Sequence, residues 1–365
     1  RVVSTPFEIS ARLVDDLIVM SPLFATSVGA PGHDAEWDDF SPDGEAAKAA
    51  LARRVVTDLE THLAHPDPAQ RLAAHVVTEY AGYMLDAFEA LDHLRGLAHM
   101  SSPFQVFRNI FELVDHTDAE AASGAAHRLE TIGGPLAGYR RTLAAGVDSG
   151  EVVSRRHAES VLVQIEALTG PTSAWHLLEE DSPIPDVMAK AIGSAKGEMA
   201  GFAQFLRNDY LPHARIEDGV GRDPYGRAAR AFLGMEIDPE ELYEWGWEEI
   251  DRLLGEMRSI AREIDDSLDL AGLIEFLETD ERLSVDSPEK LVEFVAARQQ
   301  QAIEDLEGSH FDLRDEFREV TVAIAPPGGA LGAYYREPSE DFSRPGGIYY
   351  SVGDQRRCPL YQEGS

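Results

Sequence analysis

The chain has 365 residues, 44% hydrophobic and 27% charged, the proportions of a globular protein with one large core or more than one. Its 32 Lys and Arg stand against 66 Asp and Glu, a net charge of −34, and so acidic a surface repels nucleic acids and anionic membranes. The only cysteine, Cys358, excludes an intramolecular disulfide and a thiolate metal cluster.

No segment has the length of a transmembrane helix. The apolar stretch 13–24 is interrupted by Asp15, Asp16 and Pro22, and it falls short of the roughly 20 apolar residues that a membrane span needs. We therefore expect a cytoplasmic protein. Because the chain begins with Arg1 rather than Met, a signal peptide removed before this residue is the alternative.

Most of the chain has the apolar spacing of amphipathic helices. The pattern recurs at 45–63, 69–97, 103–116, 118–131, 153–168, 185–208 and 287–303. The second of these segments is predicted to present one apolar face, made by Leu72, Val76, Tyr80, Met84, Phe88 and Leu91. No fixed repeat period connects the segments, so a solenoid of identical units is not expected.

The strongest helix signal begins at Asp238. Asp238 is a favourable N-cap, Pro239 suits the first helical position, and Glu241 follows three residues after the cap. Apolar side chains then recur along one face across 242–264. Gly246 interrupts this helix at a cost of about 1 kcal/mol relative to Ala, and we expect a close helix crossing as the reason for it.

The pattern changes to that of short strands after Phe311. Apolar residues alternate with polar or small ones over 319–324, the period of a strand with one buried face. Two more strands are predicted at 333–335 and 347–352, separated by the polar loop 337–343.

A long helical region followed by a small sheet predicts a mainly α protein of the α+β class. We divide the chain into an N-terminal helical region, a central helical region and a small β-sheet segment, with the bounds 1–210, 211–310 and 311–365.

Candidate metal ligands are sparse, and no His-Glu-x-x-His motif occurs. His75 with Glu79 and His116 with Glu120 have helical i,i+4 spacing, but zinc needs at least a third ligand and such pairs also occur on ordinary helix surfaces. The densest group of ligand-type residues lies at 33–39. It lacks the spacing of a calcium loop, so a solvated acidic turn is the simpler interpretation.

The segment 344–350, Arg-Pro-Gly-Gly-Ile-Tyr-Tyr, carries the candidates for substrate binding: Arg344, Gly346, Tyr349 and Tyr350. Arg344 can bind a carboxylate through two hydrogen bonds. On a strand, Tyr349 and Tyr350 point to opposite faces, and one of them can offer a hydroxyl to a carbonyl or oxyanion in a cleft. A tight turn followed by half-buried strand aromatics is the alternative interpretation.

Three groups of passages match one bacterial family in order. They are 21–29 with 38–41 (Ser-Pro-Leu-Phe-Ala-Thr-Ser-Val-Gly and Asp-Asp-Phe-Ser), 221–225 with 238–246, and 343–346 with 349–350 and 359–361. Together they resemble the family called domain of unknown function 885, which is related to zinc metallopeptidases of the gluzincin type. The resemblance implies a large helical body similar to that of thimet-oligopeptidase-like and gluzincin metallopeptidases.

The resemblance also implies a zinc site whose ligands these residues do not supply. In that family the next residues form a His-Glu-x-x-Pro-Gly-His-His segment, in which the histidines bind zinc and the glutamate is the general base. No position of this sequence matches that segment, so neither catalytic nor metal-binding residues are assigned here. We expect that the chain is the amino-terminal part of a longer protein, or that its numbering omits a C-terminal part beyond Ser365.

The resemblance implies a zinc-dependent hydrolase of the peptidase type, acting on small peptides or peptide-like amides, with its catalytic motif C-terminal to this chain. Two alternatives stay open. One is a non-catalytic helical binding or scaffold protein that keeps the fold without the chemistry. The other is a family member that acts on a non-peptide metabolite.

Overall fold

The computed structural model describes residues 4–352 except 172, 181, 281, 283 and 326–331, together with Cys358–Pro359. These residues are mainly helical and include a three-stranded and a two-stranded sheet, so the predicted α+β class is confirmed. The chain forms two compact units, one up to Glu236 and the other from Ile237. The division at 210/211 and 310/311 stays a prediction.

The first unit is helical throughout its regular structure. Its helices are α1 Pro6–Met20, α2 Pro22–Val28, α3 Pro42–Leu59, α4 Pro68–Glu89, α5 Pro103–Asn109, α6 Ala119–Thr131, α7 Gly133–Ser149, α8 Arg155–Thr169, α9 Pro185–Phe205 and α10 Arg222–Leu233. Proline stands in the first turn of α1–α5 and α9, where its missing N–H costs no hydrogen bond.

Two hydrophobic cores lie within this unit. The larger one collects α5–α9 around large side chains such as Trp175, Tyr139 and Phe202. The smaller one joins α1, α3 and α4. Of the predicted apolar face of α4, Met84 packs against this core, whereas Leu72 is 65% exposed. The buried residues of α4 are Ala74 and Ala81, small residues that let two helices approach closely.

The sequence did not predict α7, whose glycines lower its helix propensity. Gly146 has a packing reason: a Cβ there would lie 2.5 Å from the carbonyl oxygen of Leu94 and 2.6 Å from that of Glu151. Only glycine fits this position of α7, which is why a residue unfavourable to helices stands inside one.

The second unit combines helices with short strands. Its elements are α11 Pro239–Ile264, α12 Leu270–Thr279, β1 Ser284–Val285, α13 Pro288–Leu306, β2 Val320–Ile324, β3 Ala333–Arg336, β4 Gly346–Tyr350 and β5 Cys358–Pro359. The N-cap of α11 is confirmed, since Asp238 Oδ1 accepts from the backbone N–H of Glu240 and Glu241. The close crossing expected at Gly246 is wrong, because no described atom from beyond the adjoining turns of its own helix lies within 4 Å of the position that its Cβ would take.

The predicted strands form a sheet with the order β2-β4-β3. Central β4 pairs parallel with β2 and antiparallel with β3. It begins one residue earlier than predicted and ends at Tyr350. One face of the sheet packs on α13, where Val322 and Tyr350 contact the cluster formed by Leu291 and Val295. The candidate segment 344–350 therefore leads into and forms the middle strand.

Candidate functional site

The two candidate tyrosines of β4 have different surroundings. Tyr350 packs against the apolar cluster of α13. Tyr349 is paired with Tyr334 of β3 across the antiparallel ladder, on the other face. This arrangement follows from the alternation of side chains along a strand. Of the two candidates, Tyr349 therefore lies on the face that α13 does not cover.

Tyr349 belongs to a stack of three side chains. Its ring centroid lies 5.2 Å from that of Tyr334, with the planes 13° apart. The guanidinium of Arg336 lies 4.4 Å from the Tyr349 ring centroid. We call Tyr334, Tyr349 and Arg336 the tyrosine–arginine stack. An aromatic pair contributes about 0.5–1.5 kcal/mol beyond its buried area, and a cation over a ring adds roughly 0.5–1 kcal/mol at an exposed site, so the stack fixes the orientation of Tyr349.

Both glycines of β4 make room for tyrosines. A Cβ at Gly346 would lie 2.5 Å from the hydroxyl oxygen of Tyr335, and a Cβ at Gly347 would lie 2.8 Å from Cε2 of Tyr349. The Tyr349 ring therefore lies over Gly347. These contacts give the Gly-Gly pair a packing role in the sheet. They also explain why Tyr349 can lie flat on the sheet.

A compact turn brings Arg344 to the start of β4. Asp341 Oδ1 accepts hydrogen bonds from the hydroxyls of Ser339 and Ser343 at 2.7 and 2.8 Å and from the Ser343 backbone N–H at 3.0 Å. These bonds, the Ser339 hydroxyl foremost, lower the pKa of Asp341 to about 2. The Arg344 N–H donates to Ser339 Oγ at 2.9 Å. The carboxylate thus organises the loop that places Arg344.

The acidic stretch at 33–39 is only partly the solvated turn that we expected. Asp38 is 8% exposed, and its carboxylate accepts from Ser21 Oγ at 2.6 Å and from the Leu23 N–H at 3.0 Å. Asp38 thereby supports the first turn of α2 from a distant loop. The solvated interpretation is wrong for Asp38, since a carboxylate with two donors can be buried at a moderate cost.

Arg128 of α6 contacts Thr26, which belongs to the passage 21–29 that resembles the family. Its side chain is fully buried, and it donates to the carbonyl oxygens of Glu36 and His33 and to the hydroxyl of Thr26. Burial lowers the pKa of Arg128 to about 10, so the guanidinium stays charged at neutral pH. Thr26 in turn donates to Asp34 at 2.8 Å. These residues hold the loop 29–41 in place, which is a structural role.

Neither predicted His/Glu pair forms a metal site. Glu79 receives two hydrogen bonds from Arg230, at 2.9 and 3.0 Å, so its carboxylate is engaged in an ion pair. His116 lies in a turn before α6, and the helical spacing assumed for it and Glu120 is therefore wrong. Over the described ranges, no group of three or more His, Cys, Asp or Glu side chains is arranged to hold a metal ion.

The sequence missed Tyr334 and Arg336. Both lie in a strand that the alternation predicted, but their importance depends on the antiparallel register that sets Tyr334 opposite Tyr349 and Arg336 opposite Gly347. The sequence pattern predicts that β3 is a strand and not which residues it faces. A hairpin register assumed from the length of the 337–345 loop is the one signal that could have indicated this pairing.

Comparisons with known proteins identify relatives of this chain. A family model described as "Bacterial protein of unknown function (DUF885)" matches residues 22–365. The crystal structure of "the putative lipoprotein from Colwellia psychrerythraea" is similar with a TM-score of 0.76 at 16% identity, covering 97% of this chain and 69% of that chain. No curated protein matches this chain.

A second similar structure is that of "a putative lipoprotein of unknown function from Shewanella oneidensis". The TM-score is 0.62 at 16% identity, and the match covers 99% of this chain and 66% of that chain. At such identity the two likenesses establish the fold. None of the helices in the described ranges combines the length and the apolar composition that a membrane span requires.

Proposed function

We propose that this chain, which belongs to the DUF885 family, is the substrate-binding part of a zinc-dependent hydrolase of the peptidase type. Its substrates would be small peptides or peptide-like amides, and the catalytic motif would lie C-terminal to Ser365. The helical body would share the architecture of thimet-oligopeptidase-like gluzincins. The observation that carries the proposal is the β4 segment, whose arginine, glycines and tyrosines build an ordered sheet face at the place where the family resemblance expects a cleft.

The described residues do not fit a zinc site on their own, since no three ligand-type side chains converge in them. We therefore derive no step through the metal. We assign the zinc ligands to residues after Ser365 and substrate binding to this chain. Leu360 and Tyr361, which contributed to the family resemblance, lie outside the described residues.

The sheet offers three features to an extended peptide. Among the residues that the structure describes, the outer strands β2 and β3 each pair with β4 on one side only, and a strand edge can bind a peptide backbone through main-chain hydrogen bonds. Arg344 supplies a fixed positive charge that suits a peptide carboxylate. Tyr349 supplies a hydroxyl on the face that α13 leaves uncovered, and Gly346 leaves room for the hydroxyl of Tyr335 on the neighbouring strand.

The test is peptide hydrolysis by the protein that continues beyond Ser365. A mixture of di- to pentapeptides should be cleaved, a chelator should abolish the cleavage, and added zinc should restore it. Replacing Arg344 with Ala should raise KM for substrates with a free carboxyl terminus more than for amidated ones. Cleavage that persists after complete removal of metal would exclude the zinc-dependent reaction.

A non-catalytic binding or scaffold protein is the second candidate. It is favoured by the same observation that the described part of the chain holds no metal-ligand cluster. Saturable peptide binding without turnover by the longer protein would support it. A family member acting on a non-peptide metabolite would cleave none of the peptides and yet bind zinc.

The cytoplasmic location also stays a prediction. The descriptions of both similar structures contain the word lipoprotein, which favours export and lipid anchoring as the alternative. Fractionation of cells that express the natural gene product distinguishes the two locations.

A further inference from the structure

Lysine, histidine and glutamate side chains converge in the first unit, at a place that the proposed function does not use. Lys196 of α9 places its Nζ 3.0 Å from Nε2 of His176 and 2.9 Å from the carbonyl oxygen of Gly170. On the other side of the imidazole, Nδ1 of His176 lies 3.6 Å from a carboxylate oxygen of Glu179. In the order Lys196–His176–Glu179, an amine lies next to a base, and the base lies next to a carboxylate that can orient it.

The surroundings of Lys196 can be compared with those of the other lysines of the chain. Its lysines are Lys48, Lys190, Lys196 and Lys290. Lys48 pairs with Glu45 at 2.9 Å and Lys290 with Asp286 at 2.7 Å. Lys190 is exposed on the same helix, α9. Within the described ranges, Lys196 has no carboxylate at ion-pair distance, and its contacts are the neutral acceptors at Gly170 and His176.

These contacts set the tautomer of His176. Because Lys196 donates to Nε2, that nitrogen is unprotonated, and the ring proton lies on Nδ1, which faces Glu179. His176 can therefore accept a proton from the lysine, and the imidazolium that forms is stabilised by the Glu179 carboxylate. Burial lowers the pKa of Lys196, which agrees with this direction of proton transfer.

We propose that Lys196 is a nucleophilic amine and the preferred site of acylation on this chain, with His176 as its general base. The substrates would be activated acyl compounds, such as esters, acyl phosphates and thioesters. The lysine ammonium first transfers one proton to His176. Its lone pair then attacks the acyl carbonyl, a C–N bond forms, and the bond to the leaving group breaks.

The atoms balance without a further reactant. Lys196–NH₃⁺ and R–CO–X give Lys196–NH–CO–R, HX and one proton, which His176 passes to solvent. The product amide keeps one N–H, so it can donate to Gly170 or to His176 and no longer to both. Acylation would thereby loosen the contact between α9 and the 3-10 turn Ala174–Leu178.

The test uses p-nitrophenyl acetate on the 365-residue protein at pH 7, with mass spectrometry of the peptides that carry each lysine. Lys196 should be acetylated roughly a hundredfold or more faster than Lys190, the lower end of the range of general-base catalysis. Its rate should also reach half of its maximum at a lower pH than that of Lys190. Equal or slower reaction of Lys196 would overturn the proposal.

Variants separate base catalysis from simple exposure. His176→Gln keeps an acceptor for Lys196 but no base, and it should bring the Lys196 rate down to that of Lys190. Glu179→Gln should give an intermediate rate. The unchanged rate of Lys190 serves as the internal control for folding. If both variants react at Lys196 as fast as the wild type, His176 is not the base and the proposal is wrong.

Discussion

Trp37 and Arg128 hold each other through two contacts. The indole Nε1 of Trp37 donates to the carbonyl oxygen of Arg128 at 2.7 Å, and the Arg128 guanidinium lies 5.7 Å from the centroid of the indole ring. The two residues belong to a loop and to α6, 91 positions apart. The loop 29–41 is thus fastened to the helical core by one buried arginine and one half-buried tryptophan.

Replacing Arg128 with Met should destabilise the first unit. Three oxygen acceptors would lose their buried donor, and leaving buried polar groups unpaired costs about 1–3 kcal/mol each. We expect the free energy of unfolding in urea to fall by about 3 kcal/mol or more. Arg53→Met is the control, because Arg53 forms an exposed ion pair with Glu89 at 2.8 Å and such pairs contribute at most about 1 kcal/mol. Similar losses in both variants would contradict the role given to Arg128.

Asp38→Ala should cost about 2 kcal/mol of unfolding free energy. The substitution removes the acceptor of the Leu23 N–H and of the Ser21 hydroxyl, a cap-like interaction at the start of α2. Asp43→Ala is the matched control, since Asp43 lies exposed in the first turn of α3 and contributes at most about 1 kcal/mol there. Denaturant titration of both variants measures the difference.

The stability of the first unit should fall as the pH drops from 7 to 5. His99 and His157 face each other with their Nδ1 atoms 3.1 Å apart, a distance that requires one donor and one neutral acceptor. Burial first, and then His99, Arg156 and Arg215, lower the pKa of His157 against the opposing effect of Asp218.

The lowered pKa of His157 in the folded state determines how stability depends on pH. A base whose pKa is lower in the folded state binds protons more readily when unfolded, so its contribution is complete above the unfolded value of about 6.5 and is lost as the pH falls through the folded value. The His157→Gln variant should show a flatter dependence between pH 7 and pH 5. Parallel curves for the two proteins would count against this pair as a source of acid sensitivity.

Tyr349 and Tyr350 should respond differently to loss of their hydroxyls. In the longer protein, Tyr349→Phe should lower kcat/KM for peptides, by about 10²–10³ if the hydroxyl donates to an oxyanion. Tyr350→Phe should leave the rate nearly unchanged, because Tyr350 packs on α13. Steady-state kinetics on one short peptide measures both. An equal effect of the two substitutions would contradict substrate binding on the sheet face that carries Tyr349.

Local signals predicted the elements whose causes are local. The cap at Asp238 and the alternation over 319–324 depend on neighbours in sequence, and both elements form as predicted. The alanine face of α4 and the close approach at Gly146 depend on which helices pack together. The predicted stripe of α4 is therefore only partly buried, since Met84 packs on the smaller core and Leu72 is exposed.

The candidate site, too, could be predicted only as far as its local sequence signals allowed. The segment 344–350 could be chosen from its residue types and from the family resemblance. The stacking of Tyr349 with Tyr334 needs the strand register, and the convergence of Lys196 with His176 joins residues 20 positions apart in different elements. Such pairings depend on tertiary packing, which single-sequence periodicity does not contain.

The most direct test of the proposed function is the zinc content of two proteins purified without chelator, one ending at Ser365 and one that continues beyond it. Intact mass confirms the length of each, and elemental analysis gives the metal per chain. We predict about one zinc per chain in the longer protein and none in the shorter one. A longer protein that binds no zinc would contradict the assignment as a zinc-dependent hydrolase and leave the binding protein as the function to pursue.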